Sequence, residues 1–501
     1  MTIATDDVSA QACLSSKIPP TPLPRRFDDP DELAKAFLAH TAIDAAGRLT
    51  LHYWKGNFWQ WDGKRYLRLP QDEARNSVRT FVRAELDRQQ AVDKNGNALR
   101  VTNYLVENTV SAISATCEIR SILDQPLGVG ELEGVAGLLS VANGLLSLED
   151  AILSGTASPS GPLREHSPDW FSLTTLPYDF DATAECPEFL KFVRWLCQGD
   201  DDLVALVQEW FGYCLTPDTS QQKFLVLEGN GANGKSVLLQ ILIKMLGVEN
   251  VSALSPENLR DRFALGAVIG KLANINADVD VSALDEGRLK ALTSGDSVTV
   301  DRKYRDPVTF KATAKFIFAT NNIPRFRDKT DGIWRRLVIV PCRASIPEAD
   351  RDINLTDKLL TELPGILNWS IRGLERLRLR EEFTPSAASL DASNTLRSQS
   401  DPLRDFLEEK VVAAPGTAIL VQELVWELGE WATDHNIPVS SEGLGKAIAS
   451  FYGTGVTRRR RSDGVRPYEY CGIHLREKAA QKPAPSDRPS TQHKRDLSEA
   501  A

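Results

Sequence analysis

Hydrophobic and polar positions follow different periods along the N-terminal half of the chain. Residues 49–69 alternate apolar and polar positions around two glycine-containing turn signals, which is typical of a β-meander. Residues 71–125 and 189–215 place apolar side chains at helical spacing. The pattern therefore predicts a mixed region of strands and helices. The aromatic residues of the meander form either a core or a surface that stacks nucleic-acid bases, and a core is the commoner arrangement.

Four short apolar runs in the middle of the chain predict buried strands. They are Phe224–Glu228, Leu272–Ala277, Lys315–Thr320 and Leu337–Pro341. An apolar stretch with helical spacing follows the first run and ends near Gly247. Strands alternating with helices indicate an α/β core.

The C-terminal part changes pattern again after a polar segment at 386–400, which we interpret as a linker. Helical segments are predicted at 401–409, 421–434 and 441–450, and a tight hairpin follows them at 456–470. Three helices and a basic β-hairpin are typical of a winged helix-turn-helix that binds DNA. A domain for protein contacts is the alternative.

Composition restricts the class of protein. The chain has 501 residues, 42% hydrophobic and 25% charged, which is ordinary globular usage and enough for three or four domains. No apolar run reaches the length of a membrane span, and the N-terminus has no signal-peptide pattern. We therefore expect a cytoplasmic protein without a membrane partner.

Cysteine spacing and net charge exclude two further possibilities. The seven cysteines form no C-x-x-C pair, so neither a disulfide framework nor a zinc site is predicted. The chain has 59 basic and 68 acidic residues and a net charge of −9. Any contact with nucleic acid must therefore come from local basic patches.

The first buried run leads into a glycine-rich loop that ends in Lys-Ser and opens a helix. The loop consists of Gly229, Asn230, Gly231, Ala232, Asn233, Gly234, Lys235 and Ser236. In this strand-loop-helix setting, backbone N–H groups and the helix N-terminus cradle phosphates. Lys235 then reaches the β and γ phosphates, and the Ser236 hydroxyl ligates Mg²⁺. The pattern predicts ATP or another nucleoside triphosphate as the ligand.

Polar residues follow the next two strands. Asp278 ends the second run and is the candidate acid that holds Mg²⁺ and polarises the attacking water, with Asp280 as a possible helper. Asn321 follows the third run, where an amide can hydrogen-bond the water or the γ-phosphate, although Asn is also a common turn residue. Arg335 and Arg336 precede the fourth run, so they form either an arginine finger or a surface ion pair.

Together these motifs resemble superfamily 3 helicases, specifically the helicase part of phage and plasmid primase-helicases related to the poxvirus enzyme. Further segments carry the same resemblance, among them Leu289–Asp296 between the acid and the Asn, and Glu362–Trp369 after the arginines. The resemblance covers roughly residues 100–475. It implies an AAA+-like P-loop NTPase core that acts as a homo-hexameric ring on DNA.

The resemblance assigns a role to each motif. Residues 229–236 bind ATP, Asp278 is the catalytic acid, Asn321 is the sensor, and Arg336, or Arg335 as second choice, is the finger that acts on a neighbouring subunit. Many relatives have two adjacent acids where this chain has Ala277-Asp278. The sequence therefore does not assign metal binding and water activation to two separate residues.

DNA contacts are expected at two hairpins. In the family, a hairpin between the acid and the sensor projects into the channel, and here residues 298–310 form it, with Arg302, Lys303 and Arg305 near the tip. These side chains would hold phosphates of a single strand. A solvated hairpin is the alternative. The second hairpin is the wing, where four arginines would contact duplex DNA: Arg458, Arg459, Arg460 and Arg461.

The predicted organisation is a flexible leader (1–30), a β-meander with a helical associated region (31–215), the ATPase domain (216–385), the linker (386–400), the winged helix (401–478) and a tail (479–501).

The predicted function is ATP-dependent unwinding of DNA in phage, prophage or plasmid replication. A replication initiator switched by nucleotide, or another P-loop DNA motor, is the alternative. Only the leader and the meander precede the region of resemblance, so we expect a separate primase or host replication proteins as partners.

Overall fold

The structure is a computed structural model. It describes residues 28–93, 95–120, 124–153, 161–277, 285–303, 305–321, 323, 326, 331–347, 351–435, 439–460 and 468–476. The chain divides into two compact units. The first runs to residue 322 and resumes over 336–387, and the second comprises 323–335 and the chain from 388 onward.

The N-terminal part of the first unit contains the predicted meander between helices. Its elements are α1 (Pro30–Thr41), β1 (Leu51–Trp54), β2 (Asn57–Trp61), β3 (Tyr66–Leu69), α2 (Gln71–Arg88) and α3 (Asn103–Thr116). The three strands are antiparallel neighbours. Trp54, Phe58 and Tyr66 are buried, so these aromatic residues of the meander belong to a core.

A second group of short strands and three helices leads to the glycine-rich loop. It consists of β4 (Leu127–Gly128), β5 (Leu138–Val141), β6 (Gly144–Ser147), α4 (Leu148–Leu153), β7 (Leu163–Arg164), β8 (Trp170–Phe171), α5 (Pro187–Leu196) and α6 (Asp201–Tyr213). The last helix begins where the Asp200 side chain accepts a hydrogen bond from the Leu203 amide. Such a cap satisfies a backbone donor that has no partner inside the helix.

A parallel sheet forms the centre of the first unit. The elements in this part of the chain are β9 (Phe224–Glu228), α7 (Lys235–Leu246), β10 (Val251–Ser252), β11 (Ala273–Ala277), α8 (Glu286–Ser294), β12 (Ser297–Arg302), β13 (Arg305–Lys311), β14 (Lys315–Thr320), α9 (Asp331–Trp334, in the second unit), β15 (Leu337–Pro341), α10 (Leu355–Leu360) and α11 (Leu363–Arg380). The strand order is β10-β11-β14-β9-β15. All neighbours are parallel, which confirms a mixed α/β fold with a parallel sheet.

The four apolar runs are the inner strands and one edge of this sheet. β14 and β15 are buried along their whole length, and β9 is buried except at Glu228. Continuous apolar runs suit such strands because helices cover both faces of a parallel sheet. The carboxyl ends of β9, β11, β14 and β15 consequently meet at one edge, and the loops that follow them build the site.

The second unit combines helices with a small antiparallel sheet. Its remaining elements are α12 (Ala387–Ser400), α13 (Pro402–Lys410), β16 (Val411–Leu420), α14 (Val421–Asp434), α15 (Leu444–Tyr452), β17 (Thr457–Arg460) and β18 (Tyr468–Leu475), and the strand order is β16-β18-β17. The segment interpreted as a linker is helix α12, since 387–400 contains neither proline nor glycine. Strand β16 was not predicted, because Pro415 and Gly416 lie within it.

Among the described helices, none combines the length and the apolar character needed to cross a membrane. Six of the seven cysteines lie in the described ranges, and all six are free thiols. The described residues also contain no group of three metal-binding side chains.

Candidate functional site

A pocket of about 370 Å³ lies at the carboxyl edge of the parallel sheet. Most of its wall consists of the loop between β9 and α7 together with the first turn of α7, and the ends of β11 and β14 with Asn321 form the remainder. The lining residues are Gly231, Ala232, Asn233, Gly234, Lys235, Ser236, Val237, Ala277, Ala319, Thr320 and Asn321. Lys235 at the end of the loop and Asn321 after the third apolar run, which are 86 positions apart in the sequence, therefore share one cavity.

The backbone of the loop has conformations that depend on glycine. Gly234 has φ +81° and directly precedes the first residue of α7. L-residues rarely adopt this left-handed conformation, whereas glycine does so without steric cost. At Gly229, a Cβ atom would lie 2.3 Å from the carbonyl oxygen of Cys342. Glycine at these two positions allows the loop to turn tightly against β15 and open α7 toward the pocket.

Lys235 joins the loop to the end of β14. Its side chain is buried, with 7% of the residue exposed, and Nζ donates hydrogen bonds to the Gly229 carbonyl, to Asn233 Oδ1 at 3.2 Å and to Asn321 Oδ1 at 3.3 Å. Asn233 is held in turn, because its Nδ2 donates to the Cys342 carbonyl over 3.1 Å. The ammonium group is thus directed at oxygen acceptors inside the pocket, where phosphate oxygens would also be bound.

The surroundings of the loop contribute little competing charge. Burial raises the pKa of the Cys342 thiol to about 12, so this side chain is neutral at physiological pH. Glu228, at the end of β9, pairs with Arg343 at 3.0 Å. Lys235 is therefore the charged side chain among the described residues that line the pocket.

The predicted metal ligands are only partly described. Ser236 lines the pocket, and a hydroxyl at this position suits Mg²⁺, which prefers oxygen ligands. Asp278 and its possible helper Asp280 lie outside the described residues. Ala277, the residue before Asp278, lines the pocket.

The two candidate finger residues have different environments. Arg336 is 7% exposed, and its Nη2 donates to Ser294 Oγ at 2.6 Å and to Gln222 Oε1 at 3.3 Å. Arg335 is exposed. Arg336 thus binds the end of α8 in the same chain, whereas the Arg335 side chain is exposed.

The β12-β13 hairpin is attached to the N-terminal meander. Arg302 is half-buried, and its Nη1 donates to the Lys55 carbonyl oxygen at 2.8 Å, while its Nε donates to the Asp306 carbonyl oxygen at 3.0 Å. Lys55 reaches back to the hairpin through the Thr309 carbonyl at 3.0 Å and forms an ion pair with Asp124. Lys303 is exposed, and only the backbone of Arg305 is described.

The arginines of β17 also differ from one another. Arg458 lies over the ring of Tyr468, 4.4 Å from its centroid, and Arg459 pairs with Glu469 at 2.7 Å. Arg460 is exposed, and Arg461 lies outside the described residues. Arg458 and Arg460 share one face of the strand, because alternate residues of a strand point the same way.

Comparisons with known proteins match two regions of the chain. Residues 34–198 match the family described as D5 N terminal like, and residues 227–336 match a family of unknown function, DUF5906. The second region contains the loop, the hairpin and both candidate finger residues.

Viral proteins are among the relatives. The chain is 23% identical to "Putative helicase L207/L206" of Acanthamoeba polyphaga mimivirus, over 69% of this chain and 38% of that protein. It is 28% identical to "Putative helicase 121R" of Invertebrate iridescent virus 3, over 48% of this chain and 30% of that protein. The chain therefore matches less than two fifths of the length of these two relatives.

One solved structure, described as the apo NrS-1 C-terminal region, aligns with a TM-score of 0.49 and 12% identity, over 89% of this chain and 99% of that one. The matches to the two families and to the viral relatives confirm the resemblance that the motifs indicate.

Proposed function

We propose that this chain, a member of the phage and viral primase-helicase family, is an ATP-driven DNA helicase of superfamily 3 that acts in replication. The observation that carries the proposal is the contact between Lys235 and Asn321 inside the pocket of the glycine-rich loop. Transfer of a γ-phosphate to water uses a lysine that binds the phosphates and a polar side chain that positions the attacking water, and Lys235 and Asn321 are candidates for these two roles.

The chemistry is divided among residues that end successive strands. The loop amides and Lys235 would hold the phosphates and neutralise the charge that develops during transfer. Asn321 would orient the attacking water or the γ-phosphate, and Asp278 would polarise that water. Ser236 and Asp278 would hold Mg²⁺, which supplies further positive charge beside the phosphates when it is bound.

The strand order supports an AAA+-like core. The strand before the loop, β9, lies between β14 and β15, and β11, which leads to Asp278, is the next neighbour of β14. In this order the carboxyl ends of β11 and β14 and the loop after β9 lie at one edge of the sheet, which supports a role for Asp278, the residue that follows β11 in the sequence. Arg335 precedes β15 by two residues in the sequence and is exposed, which would allow its side chain to extend to a neighbouring subunit.

The exposure of the two arginines changes the assignment of the finger. We assign the finger to Arg335, because Arg336, the first choice from the sequence, is buried and bound to Ser294. A finger that acts in trans needs an assembly, and the family resemblance supports a homo-hexamer. Arg335 is exposed to solvent, which is compatible with a contact to a neighbouring subunit across such an interface.

DNA would contact two places. Lys303 and Arg305, at the turn of the β12-β13 hairpin, would hold a single strand in the channel. Arg458 and Arg460 would meet duplex phosphates, together with Arg461. The order α13-β16-α14-α15-β17-β18 with the sheet order β16-β18-β17 supports a winged helix, in which the last two strands form the wing.

Strand displacement on a forked duplex tests this function. The wild-type chain should release the labelled strand only with ATP and Mg²⁺, and Lys235→Ala should release none although it is folded.

An initiator switched by nucleotide is the second candidate, and the basic strand β17 favours it. Such a protein would bind duplex DNA in a nucleotide-dependent way and would hydrolyse ATP without displacing the strand.

A further inference from the structure

We propose that Trp195 stacks on the nucleobase of the bound nucleotide, and thereby makes the site prefer a nucleoside triphosphate over a bare triphosphate. This inference rests on the proposed function, because it needs phosphates in the loop between β9 and α7. It adds a base-binding residue from α5, an element that precedes the loop by about thirty residues.

The position of Trp195 follows from the approach of α5 to the loop. A Cβ atom at Gly234 would lie 3.0 Å from an indole carbon of Trp195, 3.1 Å from a ring carbon of Phe192 and 3.3 Å from a methyl carbon of Leu196. Trp195 and Leu196 follow Phe192 by three and four residues on α5, about one turn, so the three side chains share a face of the helix. Glycine at 234 allows this face to contact the loop at the residue that directly precedes Lys235.

Trp195 differs from its two neighbours in exposure. Phe192 is 5% exposed and Leu196 is fully buried, whereas Trp195 is half-buried. The centroids of the Phe192 and Trp195 rings lie 6.1 Å apart with an interplanar angle of 33°, so the buried Phe192 ring packs beside the indole. One face of α5 thus presents a supported aromatic ring to solvent beside the loop.

The pocket itself provides no stacking surface. Among the described residues that line it, none is aromatic, and its charged and amide groups suit phosphates. The base of a nucleotide held there must lie outside the phosphate pocket, at the rim of the loop. A purine has an extended π face, and tryptophan offers the largest flat apolar surface of any side chain. Stacking is also tolerant of base identity, so Trp195 would select for a base and not for adenine in particular.

The experiment compares the binding of ATP and of inorganic triphosphate, each with Mg²⁺, to the full chain. We expect Trp195→Ala to weaken ATP binding about fivefold or more, the low end for loss of one aromatic stack, and to leave triphosphate binding unchanged. Trp195→Phe should retain most of the affinity for ATP. Trp426, which is 63% exposed in the second unit, provides the matched control Trp426→Ala.

Each outcome has a distinct meaning. Equal weakening of both ligands would show that Trp195 only supports the loop, and unchanged binding of both would show that it touches no ligand; either result overturns the inference. Failure of the wild-type chain to bind either ligand would overturn the proposed function as well.

Tryptophan fluorescence covers the case in which Trp195→Ala does not fold. ATP, but not triphosphate, should quench the wild-type emission, and Trp195→Phe should lack that quench. An identical ATP quench in Trp195→Phe would contradict the proposal.

Discussion

The guanidinium of Arg302 donates a hydrogen bond of 2.8 Å to the backbone carbonyl oxygen of Lys55. The two residues are 247 positions apart, and the contact attaches the β12-β13 hairpin to the turn between β1 and β2. Gly56, with φ +75°, adjoins the guanidinium so closely that a Cβ atom there would lie 3.1 Å from Nη2. Arg302 therefore positions the hairpin, although the sequence alone placed it among the DNA contacts.

The first prediction separates Arg302 from Lys303. Lys303→Ala should reduce the salt dependence of single-strand binding by a slope of about 0.7, the value for one lost phosphate contact. Arg302→Ala should leave that slope unchanged and should instead destabilise the first unit, by about 1–3 kcal/mol for the loss of charged hydrogen bonds to two backbone carbonyls. Binding titrations over a series of salt concentrations and thermal unfolding measure the two effects. A reduced slope in Arg302→Ala would return this residue to the DNA surface.

The second prediction concerns the pocket. Lys235→Ala should abolish ATP hydrolysis, because no other described lining residue supplies positive charge to the phosphates. Asn321→Ala should bind ATP with similar affinity and hydrolyse it far more slowly, since an amide that orients water acts mainly in the transition state. Steady-state hydrolysis and equilibrium nucleotide binding separate these effects. Near-normal turnover by a folded Lys235→Ala chain would contradict the assignment of the site.

The third prediction compares the adjacent arginines. Arg335→Ala should reduce ATP turnover by about 10³-fold or more, as for fingers supplied in trans, with little change in thermal stability. Arg336→Ala should lower the stability, because it leaves Ser294 and Gln222 without a buried partner.

Mixing tests whether the site is shared between subunits. Arg335→Ala and Lys235→Ala chains, each inactive alone, should regain part of the ATPase activity when they assemble together, because an intact pocket then meets an intact finger. If demonstrated co-assemblies stay inactive, or if Arg336→Ala complements Lys235→Ala and Arg335→Ala does not, the assignment to Arg335 is wrong.

The fourth prediction concerns acid stability. His52 is buried between the rings of Tyr66 and Phe171, and burial lowers its pKa from 6.5 to about 4. The unfolded chain then binds the proton more readily than the folded chain, so this residue reduces stability as the pH falls from about 6.5 toward 4. In His52→Phe this loss should be absent, a difference of at most about 3 kcal/mol at the acid end. Denaturant unfolding of both chains at pH 7 and pH 4.5 measures it, and parallel pH profiles would refute it.

The fifth prediction concerns the wing. Replacing Arg458 and Arg460 together by Ala should reduce the salt slope of duplex binding by up to about 1.8, or 0.9 for each phosphate contact. Arg459→Ala is the matched control, because Arg459 pairs with Glu469 and lies on the other face of β17. ATP hydrolysis without DNA should be unchanged in the double variant and in Arg459→Ala. Equal slopes for the double variant and the wild-type chain would favour a domain for protein contacts.

The sequence by itself determined the features whose chemistry is local. The loop at 229–236 is a continuous stretch between an apolar strand and an apolar helix, so its glycines, its lysine and its setting are all visible in one short window. Helix α14 spans Val421–Asp434, the bounds that its apolar spacing predicts. Local spacing succeeds in such cases because one face of each element is buried whatever its partner is.

Only the tertiary structure decided which of several chemically equal residues reaches which partner. Arg335 and Arg336 are adjacent and identical in type, yet Arg335 is exposed whereas Arg336 is buried and donates a hydrogen bond to Ser294. In the sequence, Arg302 and Lys303 are both cations near a hairpin turn. Only the fold shows that Arg302 is hydrogen-bonded to the carbonyl oxygen of Lys55, from a distant part of the chain. The same holds for Trp195, whose place beside Gly234 depends on how α5 packs. Such contacts come from long-range packing, which no periodicity within a single segment encodes.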